Sequence, residues 1–159
     1  MRLRLLGHEV FRQNGRAEEA ATALSEINNL GGYRLWAYQD APNLVTMGRA
    51  ALLLGADPRR VLEQFFDMAK KRDPASREPF LASGQLALNK NDYDLAAKIF
   101  SEGLKKFPDD PEFHYGIAQA YASSDRRLMV ASLEAALEHN PNHAPSHLLL
   151  ADHLVDGEE

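Results

Sequence analysis

Residues 77–110 read REPFLASGQLALNKNDYDLAAKIFSEGLKKFPDD, and this stretch decides the fold. Ser76 offers an N-cap, with Glu78 and Pro79 in the first turn, where a missing N–H costs nothing. A helix is predicted to about Asn89, and the polar run Asn89-Lys90-Asn91-Asp92 turns the chain. A second helix follows from about Asp92 to Lys106 and ends at Phe107-Pro108. Its apolar residues Leu95, Ala96, Ile99, Phe100 and Leu104 recur at helical spacing and form one stripe.

The same plan extends in both directions. Downstream, Asp110-Pro111 starts a helix to about Ser123, Ser124-Asp125 turns, and a helix from Arg126 to His139 ends before Asn140-Pro141. Upstream, Asp40 to Pro42 opens a helix to about Leu54, and Asp57-Pro58 opens its partner, which ends at Asp73-Pro74. The first unit reads as a helix to Gln13, a turn at Asn14-Gly15 and a helix from Arg16 to about Leu30. No stretch reads as a strand. A small residue marks each first helix, Gly7, Gly48, Gly84, Ala118 and Ala151, at steps of 41, 36, 34 and 33 residues. A small side chain at a repeated helical position lets a neighbouring helix approach, and a period near 34 is that of a helix–turn–helix solenoid.

On these residues the chain resembles the tetratricopeptide repeat family. In Arg77–Asp110 the matching positions are Phe80, Ser83, Gly84, Ala87, Ala96, Phe100, Gly103 and Pro108. The next unit gives His114, Ile117, Ala118, Tyr121, Met129, Leu133, Ala136 and Pro141, with one residue fewer in the turn. The second unit gives Leu44, Met47, Gly48, Ala51, Leu62, Phe66, Ala69 and Pro74, with about two more; the first gives Leu3, Leu6, Gly7, Val10, Ala20, Leu24 and Ile27. The resemblance implies an all-α, right-handed superhelix of tandem helix–turn–helix units, in one array. The units run about 1–30, 43–76, 77–110 and 111–143, with a half unit at 144–159 and an aromatic insert at 31–40. Leu62 and Met129 replace the expected small residue, so those helix pairs are expected to be wider or tilted.

The insert, LGGYRLWAYQD with its preceding Leu30, carries Tyr33, Trp36 and Tyr38, including the chain's one tryptophan. Two uses compete for it: a plug between the first and second helix pairs, or an exposed anchor of the kind that dominates binding hot spots.

Composition narrows the function classes. The chain has 159 residues, 45% of them hydrophobic, a formal charge of −5 and no cysteine. Disulfides, thiolate metal sites and cysteine nucleophiles are thereby excluded. An acidic chain whose basic pairs are interrupted by acidic residues is not expected to bind nucleic acid. Its longest apolar run, Ala50 to Ala56, is too short to span a bilayer, so the expectation is a cytoplasmic protein with no membrane contact. His139, His143 and His147 are spaced by four, but Pro141 and Pro145 interrupt the helix that would align them as metal ligands. No phosphate-binding or nucleophile-elbow motif occurs, and the acidic pairs sit at helix starts where they suit the dipole. No catalytic residue, metal or cofactor is expected in this segment.

The expected function is a protein–protein interaction scaffold that binds a peptide or partner domain. In the family the first helix of each pair lines the concave groove, which implies Arg4, His8, Phe11 and Arg12; Val45, Arg49 and Leu52; Leu81, Gln85, Leu88 and Asn89; Tyr115 and Gln119; and Leu148, Asp152 and Asp156. Of these, Arg49, Gln85, Asn89, Tyr115, Gln119 and Asp152 are the candidate partner-binding residues. The family's carboxylate clamp is absent: its lysine position holds Arg4, Val45, Leu81, Tyr115 or Leu148. An alternative reading is the accessory repeat region of a larger enzyme, because the Phe65–Leu154 stretch is similar to the repeat region of large bacterial proteins with a metallopeptidase-like domain. The final helix, with Leu148, Leu149, Leu150 and Leu154, lacks a covering partner and is expected either to drive self-association or to fray.

Overall fold

The computed structural model describes residues 1–33 and 37–156; the side chains of Tyr33 and of residues 154–156 are not described, and Trp36 lies outside the described residues. Ten α-helices follow one another with no strand among the described residues: α1 Arg2–Gln13, α2 Ala17–Tyr33, α3 Ala41–Leu53, α4 Pro58–Val61, α5 Asp67–Arg72, α6 Glu78–Asn89, α7 Tyr93–Leu104, α8 Pro111–Tyr121, α9 Arg126–His139 and α10 Ala144–Asp156. Between α4 and α5 the chain stays helical through a π turn, Leu62–Phe66. Two compact units result, Met1–Ala82 and Ser83–Glu159.

Aspartates start the helices. The side chains of Asp40, Asp57, Asp92 and Asp125 accept hydrogen bonds from the backbone N–H of Asn43, Arg60, Leu95 and Leu128, at 3.0, 2.9, 3.2 and 3.0 Å. Asp110 accepts from Glu112 N–H at 3.1 Å. Each satisfies one of the donors a helix N-terminus leaves free. Replacing Asp125 by alanine is therefore expected to cost about 1 kcal/mol, measured by chemical denaturation against wild type. The turn residues just past α1 and α3, Gly15 and Gly55, have φ of +72° and +86°, the left-handed conformation that ends a helix cheaply at glycine. The N-cap expected at Ser76 is displaced by one residue, because Leu81 N–H donates to the Arg77 carbonyl.

In the first unit α2 runs three residues beyond the expected end, to Tyr33, so the insert contributes its first residues to a helix. The core joins Leu5 and His8 of α1, Ala20, Leu24 and Ile27 of α2, Leu44, Val45 and Met47 of α3, and Val61, Phe66 and Ala69. The π turn has a numerical cause. From its cap Asp57 to Phe66 is nine residues, whereas Asp92 to Phe100 and Asp125 to Leu133 are eight. The two surplus residues of this hairpin are thus divided, one in the turn before Asp57 and one in the π turn, the usual way a helix absorbs a single insertion. The effect is to return Phe66 to the repeat register, with its ring against Gly48: a Cβ on that glycine would meet Phe66 Cε1 at 2.5 Å.

The second unit is built on interlocked rings and glycines. Phe100 of α7 fills the space beside Gly84 of α6 and Gly116 of α8, where an added Cβ would meet ring atoms at 2.4 and 2.6 Å. Phe113 of α8 lies over Gly103 of α7, where the corresponding distance is 2.3 Å. Phe113 meets Phe100 edge-on with centroids 6.4 Å apart and stacks on Phe107 at 5.8 Å. In the last hairpin the pair is Ala118 and Leu133, packed with Met129 and all buried. The small residue and the large one opposite it are matched: glycine faces phenylalanine, alanine faces the smaller leucine. Met129, at a place where a small residue is expected, is accommodated inside this cluster at 1% exposure.

One marker does not conform. Gly7 is half-buried, and its nearest neighbour to an added Cβ is a Phe11 ring atom at 3.8 Å, an ordinary contact. Leu3, Leu6 and Val10, assigned with it to the buried face of α1, are 83%, 51% and 52% exposed, while Leu5 and His8 are buried. The first unit is therefore registered one residue later than its glycine suggests. His8, not Gly7, occupies the small-residue position, because its imidazole Nδ1 lies 2.9 Å from the Ala20 carbonyl and is satisfied there. With that shift Phe11 falls at the repeat's aromatic position and Ala20 at its second small position, with no gap.

Candidate functional site

The shifted register changes which side chains α1 offers a ligand. In the first unit a cleft of ≈ 190 Å³ is lined by Arg2, Leu5, Leu6 and Glu9 of α1, by Pro42, Val45, Thr46 and Arg49 of α3, and by Glu78 at the start of α6. With Met1, Ala41 and Arg77 as the first residues of their repeats, α1 and α3 contribute the same four positions, the second, fifth, sixth and ninth, and α6 contributes the second. Identical positions on successive first helices share one face because each helix enters its hairpin in the same rotational phase.

The charges of this cleft are internally matched. Glu78 faces two guanidinium groups, Arg49 Nη2 at 3.5 Å and Arg2 Nη2 at 3.9 Å. All three are partly solvent-exposed, so these pairs contribute little to stability and are cheap to exchange for a ligand's charge. The floor is apolar: Val45 is 2% exposed and Leu5 7%.

Arg49 therefore stands in the cleft, as the repeat pattern implies. Arg4, His8 and Phe11 do not. Arg4 pairs with Glu26 of α2, His8 is turned onto Ala20, and Phe11 lies under the Arg16 guanidinium, 4.7 Å from its ring centroid. Arg2, Leu5, Leu6 and Glu9 replace them. The sequence holds the signal: Phe11 and Ala20 fit the pattern without a gap when Met1 is position one, but the glycine at residue 7 outweighs them.

In the second unit Gln85 and Asn89 are exposed on α6, one turn apart, and Gln85 Nε2 donates to Asn89 Oδ1 at 3.1 Å. On α8, Tyr115 and Gln119 are half-buried. Tyr115 meets the His143 ring edge-on at 5.4 Å. Burial first, and then the nearby Glu112 carboxylate, raise the Tyr115 phenol above its ordinary value, so it stays a neutral donor. On α10, Leu148 is 66% exposed and Asp152 is exposed. The side chain of Asp156 is outside the described residues.

The histidines spaced by four are held apart by their local partners. His147 Nε2 lies 2.8 Å from the Pro141 carbonyl, and His114 Nε2 lies 3.0 Å from the Pro108 carbonyl. These are equivalent places in successive repeats, so the pair closes the loop between one hairpin and the next. His143 is buried, with Nδ1 2.7 Å from Ser146 Oγ and Nε2 3.5 Å from Glu112 Oε1. His139 stacks on His114 at 5.3 Å. Among the described residues no group of three or more histidine, aspartate and glutamate side chains is arranged to hold a metal ion. No described helix is long and apolar enough to cross a membrane.

Tandem helix hairpins, with α1 and α3 turning the same repeat positions to one face within Met1–Ala82, define the all-α solenoid class of repeat protein. Residues 81–128 match the family model described as tetratricopeptide repeat. Solved structures of similar fold include residues 41 to the end of MamA from Desulfovibrio magneticus RS-1, at a TM-score of 0.62 and 22% identity, covering 99% of this chain and 85% of that one. YrrB, described as a TPR protein with an unusual peptide-binding site, superposes at 0.61 with 17% identity, over 87% of this chain and 68% of its own. TTC0263, a thermophilic TPR protein of Thermus thermophilus, gives 0.50 with 20% identity, over 97% and 98%. No curated protein matches the sequence. Residues 81–128 thus match the tetratricopeptide repeat, and the chain as a whole shares the fold of these helical-repeat structures.

Proposed function

We propose that the chain is a peptide-binding interaction scaffold, and that its first unit holds a segment of the partner in the cleft between α1 and α3. The observation that carries this reading is the lining itself: the same positions of two consecutive first helices, with an apolar floor and exchangeable charges at the rim. An extended peptide laid across such a face places side chains on Leu5 and Val45 and polar groups at Arg2, Arg49 and Glu78. Gln85, Asn89, Tyr115, Gln119 and Asp152 of the second unit provide the same kind of mixed surface, with amides suited to a peptide backbone. YrrB, whose name records a peptide-binding site, is a fold relative that makes this use of the scaffold physically reasonable.

The test is a selection from a random peptide display library on the full chain. Enriched peptides, synthesised singly, are then titrated against wild type, Arg49→Ala, and the pair Gln85→Ala with Gln119→Ala. Loss of at least about tenfold in affinity, the effect of removing one hot-spot contact of about 1.4 kcal/mol, is expected for at least one of the two variants. Peptides that bind wild type and both variants equally place the binding surface elsewhere and overturn the reading.

A further inference from the structure

Around Glu78 the donors and acceptors of the first unit's cleft do not balance. The carboxylate sits between guanidinium groups from two different helices, Oε1 at 3.9 Å from Arg2 Nη2 of α1 and Oε2 at 3.5 Å from Arg49 Nη2 of α3. Two positive charges therefore meet one negative charge. A tight charge-assisted hydrogen bond between such groups is about 2.7–2.9 Å long, so Glu78 holds both cations loosely. Among the described residues Arg49 donates to Glu78 alone, and Arg2 makes no hydrogen bond. Most of the donors on both guanidinium forks remain free for a ligand.

The other polar groups of the lining leave this excess in place. Thr46 is buried, and its hydroxyl donates to the Pro42 carbonyl at 2.8 Å, so it is already spent. Pro42 itself has no N–H. Glu9 is exposed and pairs with no basic side chain among the described residues, so it neutralises neither arginine at contact distance. A basic ligand group that approached Glu78 would face both arginines at once. A ligand carboxylate meets free guanidinium donors beside the apolar floor of Leu5 and Val45.

We infer, on the peptide-binding reading of this cleft, that Glu78 stands in the free chain where an acidic side chain of the partner stands in the complex. The cleft takes an acidic peptide by exchanging one carboxylate for the other. When an aspartate or glutamate of the partner arrives, Arg49 and Arg2 turn their free donors to it, and the planar fork of a guanidinium favours a carboxylate over a neutral amide. Glu78 competes for the same donors, so the chain carries its own brake on binding. The brake is mild, because the side chains of Arg2, Arg49 and Glu78 are 73%, 46% and 36% exposed and solvent screens their pairing.

The full chain and its Glu78→Gln variant are panned in parallel against one random peptide display library, and enriched peptides are titrated by fluorescence anisotropy. Aspartate and glutamate are expected to be enriched over lysine and arginine. Changing the peptide's acidic residue to its amide is expected to weaken binding to wild type about tenfold, the worth of a hydrogen bond to a charged group. Glu78→Gln is expected to bind the acidic peptide about two- to fivefold more tightly, the worth of releasing exposed ion pairs. The same variant binds the amide analogue no more tightly than wild type does. Arg49→Gln, an independent second variant, is expected to erase the difference between the acidic peptide and its amide. Peptides that depend on Arg49 yet lack an acidic residue, or that bind Glu78→Gln no better than wild type, leave the peptide site standing and overturn this inference. Peptides indifferent to changes at Arg49, Gln85 and Gln119 overturn the peptide-binding reading, and the role of Glu78 with it.

Discussion

Phe100→Ala is expected to lower the unfolding free energy by about 3–5 kcal/mol, the range for truncating a buried phenylalanine. The cost of such a change depends on whether the surroundings can collapse into the space. Here the ring is 2% exposed and is flanked by Gly84 and Gly116, which have no side chains to move inward. A further contact is the edge of Phe113, which is itself stacked on Phe107. The cavity therefore persists, and its volume adds to the lost transfer energy. In a chain of this size the change corresponds to a melting temperature lower by roughly 6–20 °C. Thermal and chemical denaturation of the variant beside wild type measure it, and a loss below about 1 kcal/mol would refute the description of the slot as rigid.

Most of the architecture is legible in the sequence because it is written locally. Aspartate-proline and asparagine-proline pairs punctuate the helices, aspartates cap them, and apolar residues recur at helical spacing. These are short-range signals, and the helices from α3 to α10 follow them within a few residues. What is less legible is register wherever a marker can be satisfied in two ways. A glycine in a helix signals close approach only if something large lies opposite, and the sequence of α1 does not say what lies opposite Gly7. Leu24, rather than a phenylalanine, is the matching residue of α2, and His8 is able to take the buried place because a backbone carbonyl happens to lie within reach.

The π turn is hidden for a similar reason. Two extra residues between Gly48 and Phe66 are plain to count, but whether they lengthen the loop or the helix depends on where the ring must finally sit. The packing of Phe66 on Gly48 decides that, and it is a tertiary constraint. The candidate site inherits these limits. Arg49 is legible because α3 is in register, whereas Arg2, Leu5 and Glu9 become visible only once α1 is turned by one residue, about 100° of helix rotation. The histidines illustrate the opposite case: proline interruptions already argue against an aligned set, and His139, His143 and His147 each face a different near neighbour.

Gly84→Ala and Gly7→Ala, the same change at two residues that look alike in sequence, are expected to move stability in opposite directions. Alanine is favoured over glycine inside a helix by about 1 kcal/mol, chiefly through the entropy of the unfolded chain. At Gly7 the added methyl meets one Phe11 ring atom at 3.8 Å, so that gain is retained and the variant is more stable by about 0.5–1 kcal/mol. At Gly84 the methyl would lie 2.4, 2.5 and 2.9 Å from three atoms of the Phe100 ring. That ring has Gly116 on its other side and cannot retreat without displacing α8. Overpacking here outweighs the propensity gain and leaves a net loss of about 1–3 kcal/mol. The last hairpin shows how the loss can be relieved, because Ala118 there faces Leu133 instead of a phenylalanine. Combining Gly84→Ala with Phe100→Leu recreates that pair, so the double variant is expected to be more stable than the sum of the single changes predicts, with a coupling of at least about 0.5 kcal/mol. A double-mutant cycle by chemical denaturation measures it, and strict additivity would mean that the methyl and the ring never compete for the same space.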